Sequence, residues 1–305
     1  MRIIRGIWKE LLNFPLLCYC ILFAKSKSII LVQAWCKYKA FPLFRKDPLI
    51  HNNWGDDINY YFLPSVIGKK IILYPNTILS RLIAIKRYSM IGSLLTIFNL
   101  KNTVICGSGI LNNNRINISG NPQKIHFVRG PLTREVLVHN NYNCPECYGD
   151  LALLLPLYYK PMKKNKWKIC IIPHYKDFDT EIVQKIIKED ISDIHIIKMK
   201  GYEQWTDIID DICSCDVVIS SSLHGLIVSE TYKIPCFWVY LSKYVDGWDF
   251  KFKDFYGSIG KKQCLPISVN RLDDIYLLYE RRIEWKEGFI NYQSLLNMLH
   301  NSILS

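Results

Sequence analysis

A chain of 305 residues, half of them apolar and 22% charged, has enough apolar material for two cores at about 100–200 residues per domain, and too much for a disordered chain. Lys and Arg (39) exceed Asp and Glu (27), and the resulting formal charge of +12 favours anionic partners; with the basic residues dispersed and no DNA- or RNA-binding motif among them, a phosphorylated metabolite or an acidic bilayer is expected and nucleic acid is not. Eleven cysteines without a secretory signal predict reduced thiols in a cytoplasmic protein.

At the N-terminus, Arg2, Arg5 and Lys9 lead into the apolar run 14–24, closed by Lys25 and Lys27. The run is shorter than the ~20 residues that span a bilayer. A basic start and an apolar stretch fit a signal peptide, but no small-x-small cleavage site follows. Two readings stay open for residues 1–26: an interfacial helix held on an anionic membrane by its basic flanks, and a core helix interrupted near Pro15.

Residues 28–32 form a short β-branched run and predict the first buried strand. A long loop with Pro42 and Pro48 follows, then a helix over 56–66 and a strand over 70–74. A third strand, 103–106, runs into Gly107-Ser108-Gly109; a fourth, 125–128, runs into Arg129-Gly130-Pro131 and a helix over 132–139. The Pro- and Lys-rich stretch 156–165 is the expected linker. The second half predicts strands at 167–172, 193–199, 216–219 and 236–240, with helices at 180–189, 204–213 and 225–232, and closing helices at 271–279 and 284–300. Alternating strands and helices imply parallel sheets. The expected architecture is α/β: an N-terminal extension over 1–26, then two Rossmann-like domains, 27–160 and 165–305, facing a cleft, with ligands at the carboxyl ends of the strands.

The candidate sites fall in loops directly after predicted strands, where helix N-termini and backbone amides bind ligands. In Ser220-Ser221-Ser222-Leu223-His224-Gly225, hydroxyls and amides suit a phosphate or carboxylate, His224 can exchange a proton near neutrality, and Gly225 permits close backbone approach. The competing reading of His224 is a cap or a packed ring. Arg129 can hold a phosphate through paired N–H bonds; alternatively Arg129 or Arg134 pairs with Glu135 or Asp150. His174 ends the first strand of the second domain. Asp56, in Asn53-Trp54-Gly55-Asp56, also reads as a helix N-cap. Phe250 to Phe255 offers Lys251 and Asp254 from a loop that folds back, or else forms a solvated charged loop. Cys144-Pro145-Glu146-Cys147 has the spacing of half a zinc site, but Cys213-Ser214-Cys215 does not complete it, so no metal is expected.

Asn53-Trp54-Gly55-Asp56, Gly107-Ser108-Gly109, Val128-Arg129-Gly130-Pro131 with Thr133, Gly149-Asp150, Ile172-Pro173-His174-Tyr175, Ser221-Ser222-Leu223-His224-Gly225 and Lys251-Phe252 with Asp254 occur in this order. In them the chain resembles the polysaccharide pyruvyl transferase family over about residues 28–260. The resemblance implies a two-domain fold of the glycosyltransferase-B type. It also implies transfer of the enolpyruvyl unit of phosphoenolpyruvate, the donor substrate, to a sugar diol as a ketal, with no cofactor, the acceptor being a surface glycan or its lipid-linked precursor at the inner face of the cell membrane. It maps the family's catalytic histidine onto His224 and a phosphoenolpyruvate-binding arginine onto Arg129. It puts Asn53, Gly55, Asp56, Gly107, Ser108, Gly109, His174, Ser221, Ser222, Leu223, Gly225 and Lys251 at the substrates. At Ser222 the chain departs from several members, which carry a second substrate-binding arginine there. A glycosyltransferase using a nucleotide sugar, with Glu230 on the donor ribose, is the second function class; a non-catalytic binding module is the third.

Overall fold

The computed structural model describes residues 2–112, 117–162, 166–242, 249–261 and 264–304. It divides into two compact units, Met1–Asp150 with Asn297–Ser305, and Leu151–Leu296.

The first unit opens with α1 (Arg2–Phe23), which runs uninterrupted through Pro15 and so corrects the expected break there. Leu16, Leu17 and Cys20 of α1 pack with Leu31, Ile72, Tyr74 and Ile85 in one cluster, while Leu11, Phe14, Ile21 and Leu22 on the other side are exposed. The helix is therefore docked on one face and open on the other. The side chains of Arg2, Arg5 and Lys9, its expected basic flank, lie outside the described residues. No described helix is long and apolar enough to cross a membrane.

β1 (Ile29–Gln33) is buried almost throughout, as a central parallel strand must be. The expected loop after it contains an antiparallel pair, β2 (Lys37–Tyr38) with β3 (Leu49–Ile50). The helix expected over 56–66 is two helices, α2 (Trp54–Tyr61) and α3 (Leu63–Ile67), because Pro64 suits a first turn and not a helix interior. Asn53 in extended conformation is the N-cap residue of α2, which places Asp56 in the first turn and not at the cap. There follow β4 (Lys70–Leu73), α4 (Ile78–Leu82), β5 (Arg87–Ser89), β6 (Thr103–Cys106), β7 (Lys124–Phe127) and α5 (Pro131–His139). β5 has no counterpart among the predicted strands, since Arg87 and Ser89 look like surface residues. Both are buried, and the Arg87 guanidinium donates to Ile85 O (3.4 Å) and Lys101 O (2.9 Å) and lies over the Tyr74 ring.

The second unit begins with a 3-10 turn, Leu151–Leu154, and α6 (Leu155–Tyr158). The segment 156–165, expected as the linker, thus starts within a helix of this unit, and 163–165 lie outside the described residues. The chain continues through β8 (Trp167–Ile172), α7 (Glu181–Glu189), β9 (Ile194–Ile196), α8 (Asp207–Ile212), β10 (Cys215–Ser220), α9 (Leu223–Thr231), β11 (Cys236–Tyr240), α10 (Asp249–Ser258), β12 (Ile267–Ser268), α11 (Leu272–Glu280) and α12 (Tyr292–Leu304). Its core joins Ile169, Ile171, Val217, Ile219 and Val239 to Val183 and Ile186 of α7 and Ile275 of α11. The charged loop expected at 250–255 is instead α10, because its aromatic residues are buried and Phe252 stacks on Trp238 at 4.7 Å. The closing helix begins at Tyr292 and not at 284; the extended segment before it lets the Gly288 amide reach Glu230 and packs Gly288 on Ile259, where a Cβ would lie 2.9 Å from that of the isoleucine.

Both five-stranded sheets are parallel, in the orders β4-β1-β5-β6-β7 and β12-β11-β10-β8-β9. Renumbered within its own unit, each sheet has the doubly wound order 2-1-3-4-5, whose direction of winding reverses between strands 1 and 3. Those switch points lie between β1 and β5 and between β8 and β10. Cys170 of β8 and Cys215 of β10 lie 5.9 Å apart between Cα atoms, within the reach of a disulfide. The other nine cysteines form no disulfide.

Removing the buried guanidinium of β5 strands two carbonyls that it satisfies. Arg87→Ala is expected to lower stability by about 2–3 kcal/mol in urea titration, whereas an exposed β5 would give a loss near zero.

Candidate active site

The second unit gathers a polar cluster at its switch point. β8 runs into Pro173-His174 and β10 into Ser221-Ser222, and hydrogen bonds join them: the Ser221 amide donates to Ile172 O (3.1 Å) and the His174 amide to Ser221 Oγ (2.9 Å). Ser221 Oγ in turn donates to Asp177 Oδ2 (2.5 Å), and Ser242 Oγ donates to Asp177 Oδ1 (2.5 Å). Asp177, 2% exposed, so ties together the segments that follow β8, β10 and β11. Neither Asp177 nor Ser242 was a sequence candidate. Asp177 lies three residues beyond His174 in a loop whose shape depends on this bonding, and no local pattern marks it.

Ser222, in extended conformation, is the N-cap residue of α9, which sets His224 in the first turn. His224 is half-buried there, one residue before Gly225. A Cβ on Gly225 would lie 2.6 Å from Ser220 Oγ and 3.0 Å from Ile172, so only glycine lets α9 approach the end of β8 this closely. The first-turn amides of α9 have no carbonyl partners within the helix, and an anion is favoured at such a terminus.

His174 is held neutral: burial, then the nearby Lys251 and Lys176, push its pKa down to about 3. That effect also puts Lys251 of α10 in the electrostatic neighbourhood of the strand end. Lys251 is itself buried, on a helix anchored by Phe252 and Phe255. His174, Ser221, Ser222, Leu223, His224, Gly225 and Lys251 are thus all in one unit. Glu230, which a nucleotide-sugar reading places on a donor ribose, is only 1% exposed. Its carboxylate is taken by Lys261 (2.5 Å), the Gly288 amide (3.3 Å) and Cys236 (3.5 Å).

Asn53, Gly55, Asp56, Gly107, Ser108, Gly109 and Arg129 form a second cluster, in the first unit. Asn53 Nδ2 donates to Asp56 Oδ2, and Asn59 clips α2 to the loop after β5 through Ile91 O (3.0 Å) and the Ile91 amide (3.1 Å). Ser108 Oγ and the Gly109 amide both donate to Gly92 O, at 2.9 and 3.0 Å. The Arg129 side chain is wholly buried, donating to Ser93 Oγ (2.6 Å) and Ile110 O (2.7 Å). It lies flat on Gly109, where a Cβ would come within 2.6 Å of Nη2. Arg129 therefore binds the loops after β5, β6 and β7 to one another. Gly92 and Ser93 carry no sequence signal of their own, because β5, the strand that delivers them, has the polar composition of a surface segment. Arg134 pairs with Glu146 (3.1 Å). Among the described residues no three His, Cys, Asp or Glu side chains gather as a metal site.

The lowered pKa of His174 has a signed consequence. Below about 6.5, its ordinary value, the unfolded chain takes up a proton that the folded one refuses down to about 3, so stability falls as pH falls through that window. His174→Gln is expected to flatten the decline of the urea midpoint between these values; an unchanged slope would contradict the burial of a neutral ring.

A family model described as polysaccharide pyruvyl transferase matches residues 3–243. The chain is 27% identical over 254 residues to the uncharacterized protein L143 of Acanthamoeba polyphaga mimivirus, covering 74% of this chain and 81% of the viral one. A solved structure of an uncharacterized protein from Klebsiella pneumoniae subsp. pneumoniae aligns with a TM-score of 0.42 at 15% identity, covering 84% of this chain and 98% of that one. With the family model spanning well over half of its sequence, the chain belongs to the polysaccharide pyruvyl transferase family, enzymes that transfer pyruvyl from phosphoenolpyruvate to a glycan.

Proposed function

We propose that the Ser220–Gly225 turn and the groups around it are the acid–base and anion-binding centre of this transfer, in a protein whose two units are the Rossmann-like halves of a glycosyltransferase-B-type fold. The observation that carries this reading is the convergence of the β8 and β10 ends on His174, Ser221 and the first turn of α9 at a topological switch point. His224 delivers a proton to the methylene carbon of phosphoenolpyruvate, which makes the second carbon electrophilic. One sugar hydroxyl adds to that carbon, the C–O bond to phosphate breaks, and the neighbouring hydroxyl closes the ketal. Of the two hydroxyl protons released, one balances the new methyl group and the other leaves with phosphate. No step calls for a metal.

Negative charge on the departing phosphate is met by the first-turn amides of α9 and by Lys251, which supplies a cation where Ser222 stands in place of an arginine. His174, held neutral, orients substrate without adding like charge beside Lys251. Arg129, Gly107, Ser108 and Gly109 shape the corresponding edge of the first unit, with Asn53 and Asp56, for the acceptor. Incubation with phosphoenolpyruvate and a panel of sugar diols is expected to release phosphate. His224→Ala should lower kcat roughly 10²–10⁴-fold with an unchanged melting temperature; wild-type activity in that variant would remove the assigned proton donor.

The acceptor is a surface glycan or its lipid-linked precursor, met in the cytoplasm at the inner face of the membrane. The open apolar side of α1 supports that location, because between Glu10 and Lys25 the helix has no charged residue and only one side of it is covered. Co-sedimentation with phosphatidylglycerol-containing vesicles, reduced by Leu11→Glu and by about 0.5 M salt, is the expected result. Recovery in the supernatant at low salt would sink this location.

A further inference from the structure

A cavity of about 720 Å³ opens in the first unit beside α1. Trp8 and Leu12 of the helix line it together with Trp35, Ile50 and Phe98. Its size is that of a pocket enclosing a small organic ligand, roughly 300–1,000 Å³. It sits at the carboxyl ends of β1 and β4, with Ala34 to Cys36 following the first and Pro75-Asn76 following the second on its lining. That is the ligand-binding edge of the sheet, the edge that also carries Asn53, Gly109 and Arg129.

Three observations define the occupant. The walls are apolar, so the ligand has an apolar body. Lys37, exposed, and Lys39, which pairs with Asp47 at 2.6 Å, also line the cavity, so an anionic head is accommodated and a second apolar protein surface is a poorer match. The helix that lines it is the one with an uncovered apolar side, and two of the lining residues, Trp8 and Trp35, are exposed tryptophans, the residue type enriched at a membrane–water boundary. We infer that this cavity takes one linear lipid chain whose phosphate faces Lys37, and that it draws the carrier of a lipid-linked acceptor partly out of the bilayer so that the sugar reaches the strand edge. The inference rests on the lipid-linked acceptor proposed above and assigns it a site.

Decyl phosphate, a single-chain phosphate soluble as a monomer, is the probe, with decyl maltoside and inorganic phosphate as controls. Titration followed by tryptophan fluorescence and calorimetry should give saturable one-to-one binding of decyl phosphate, weaker binding of decyl maltoside and none of inorganic phosphate. Ile50→Glu puts a charge on the apolar wall at a position already 43% exposed, so folding is preserved; it should weaken binding about tenfold or more. Lys37→Ala should weaken decyl phosphate and leave decyl maltoside unchanged. Binding insensitive to both variants, or no binding, overturns the assignment; so does a fluorescence change that tracks self-association in light scattering, which would make a second copy the occupant.

Turnover separates the two readings. Ile50→Glu should retain phosphate release with a water-soluble diol and lose it with a lipid-linked one. A wild-type protein that releases phosphate but binds no decyl phosphate refutes the lipid site alone. One that binds decyl phosphate but releases no phosphate with any acceptor refutes the transfer reading alone.

Discussion

Parallel pairing is the constraint on which the rest of this protein depends. When every strand of a sheet runs the same way, each connection crosses over through a helix and every strand-end loop emerges at one edge. In the 2-1-3-4-5 order of both sheets, the loops on either side of the switch point then part and leave a crevice. In the second unit His174 follows β8 and Ser221 follows β10, the two strands at the switch point. In the first unit, the segments after β1 and β5 occupy the same relation, and the Gly92-Ser93 loop follows from it, while the apolar cavity opens at the ends of β1 and β4.

Charges buried at these edges differ in how they are compensated. A buried ion is tolerated only with close partners, and Asp177, Arg87 and Arg129 each meet that demand within their own unit. They stitch strand ends together and so fix where neighbouring groups point. Lys251 and His174 are arranged differently: the histidine gives up its proton beside the lysine, which avoids two like charges at one site. A neutral imidazole, a cation and a helix N-terminus in one crevice suit a substrate that carries phosphate and carboxylate.

The N-terminal helix follows a different logic. A helix apolar on all sides is normally enclosed, but Leu16, Leu17 and Cys20 cover only one side of α1, and exposed residues from Trp8 to Leu22 remain on the other. Docking on β1 and β4 fixes the helix beside the ligand edge of the sheet. An uncovered apolar side and an apolar cavity are consequently adjacent on one element.

The amino-acid sequence by itself determined the α/β class, most of the strands and the order of the motifs, because parallel strands buried on both faces are continuous apolar runs and their loops are marked by Gly, Ser and His. It therefore made His224, Ser221, His174 and the Gly107–Gly109 loop legible. It did not reveal β5, whose Arg87 and Ser89 mimic surface residues until the sheet encloses them, nor α10, whose alternating lysines and aromatics hide a buried helix. Asp177, Ser93 and Asn59 were invisible for the same reason: each is defined by partners from other strands, and such long-range bonding leaves no local pattern. Tertiary structure alone decided that Arg129 is spent on Ser93 and Ile110, that Glu230 is closed off by Lys261, and that Lys251 stands near His174, since burial and charge neighbourhood are properties of the packed chain and not of any segment of it.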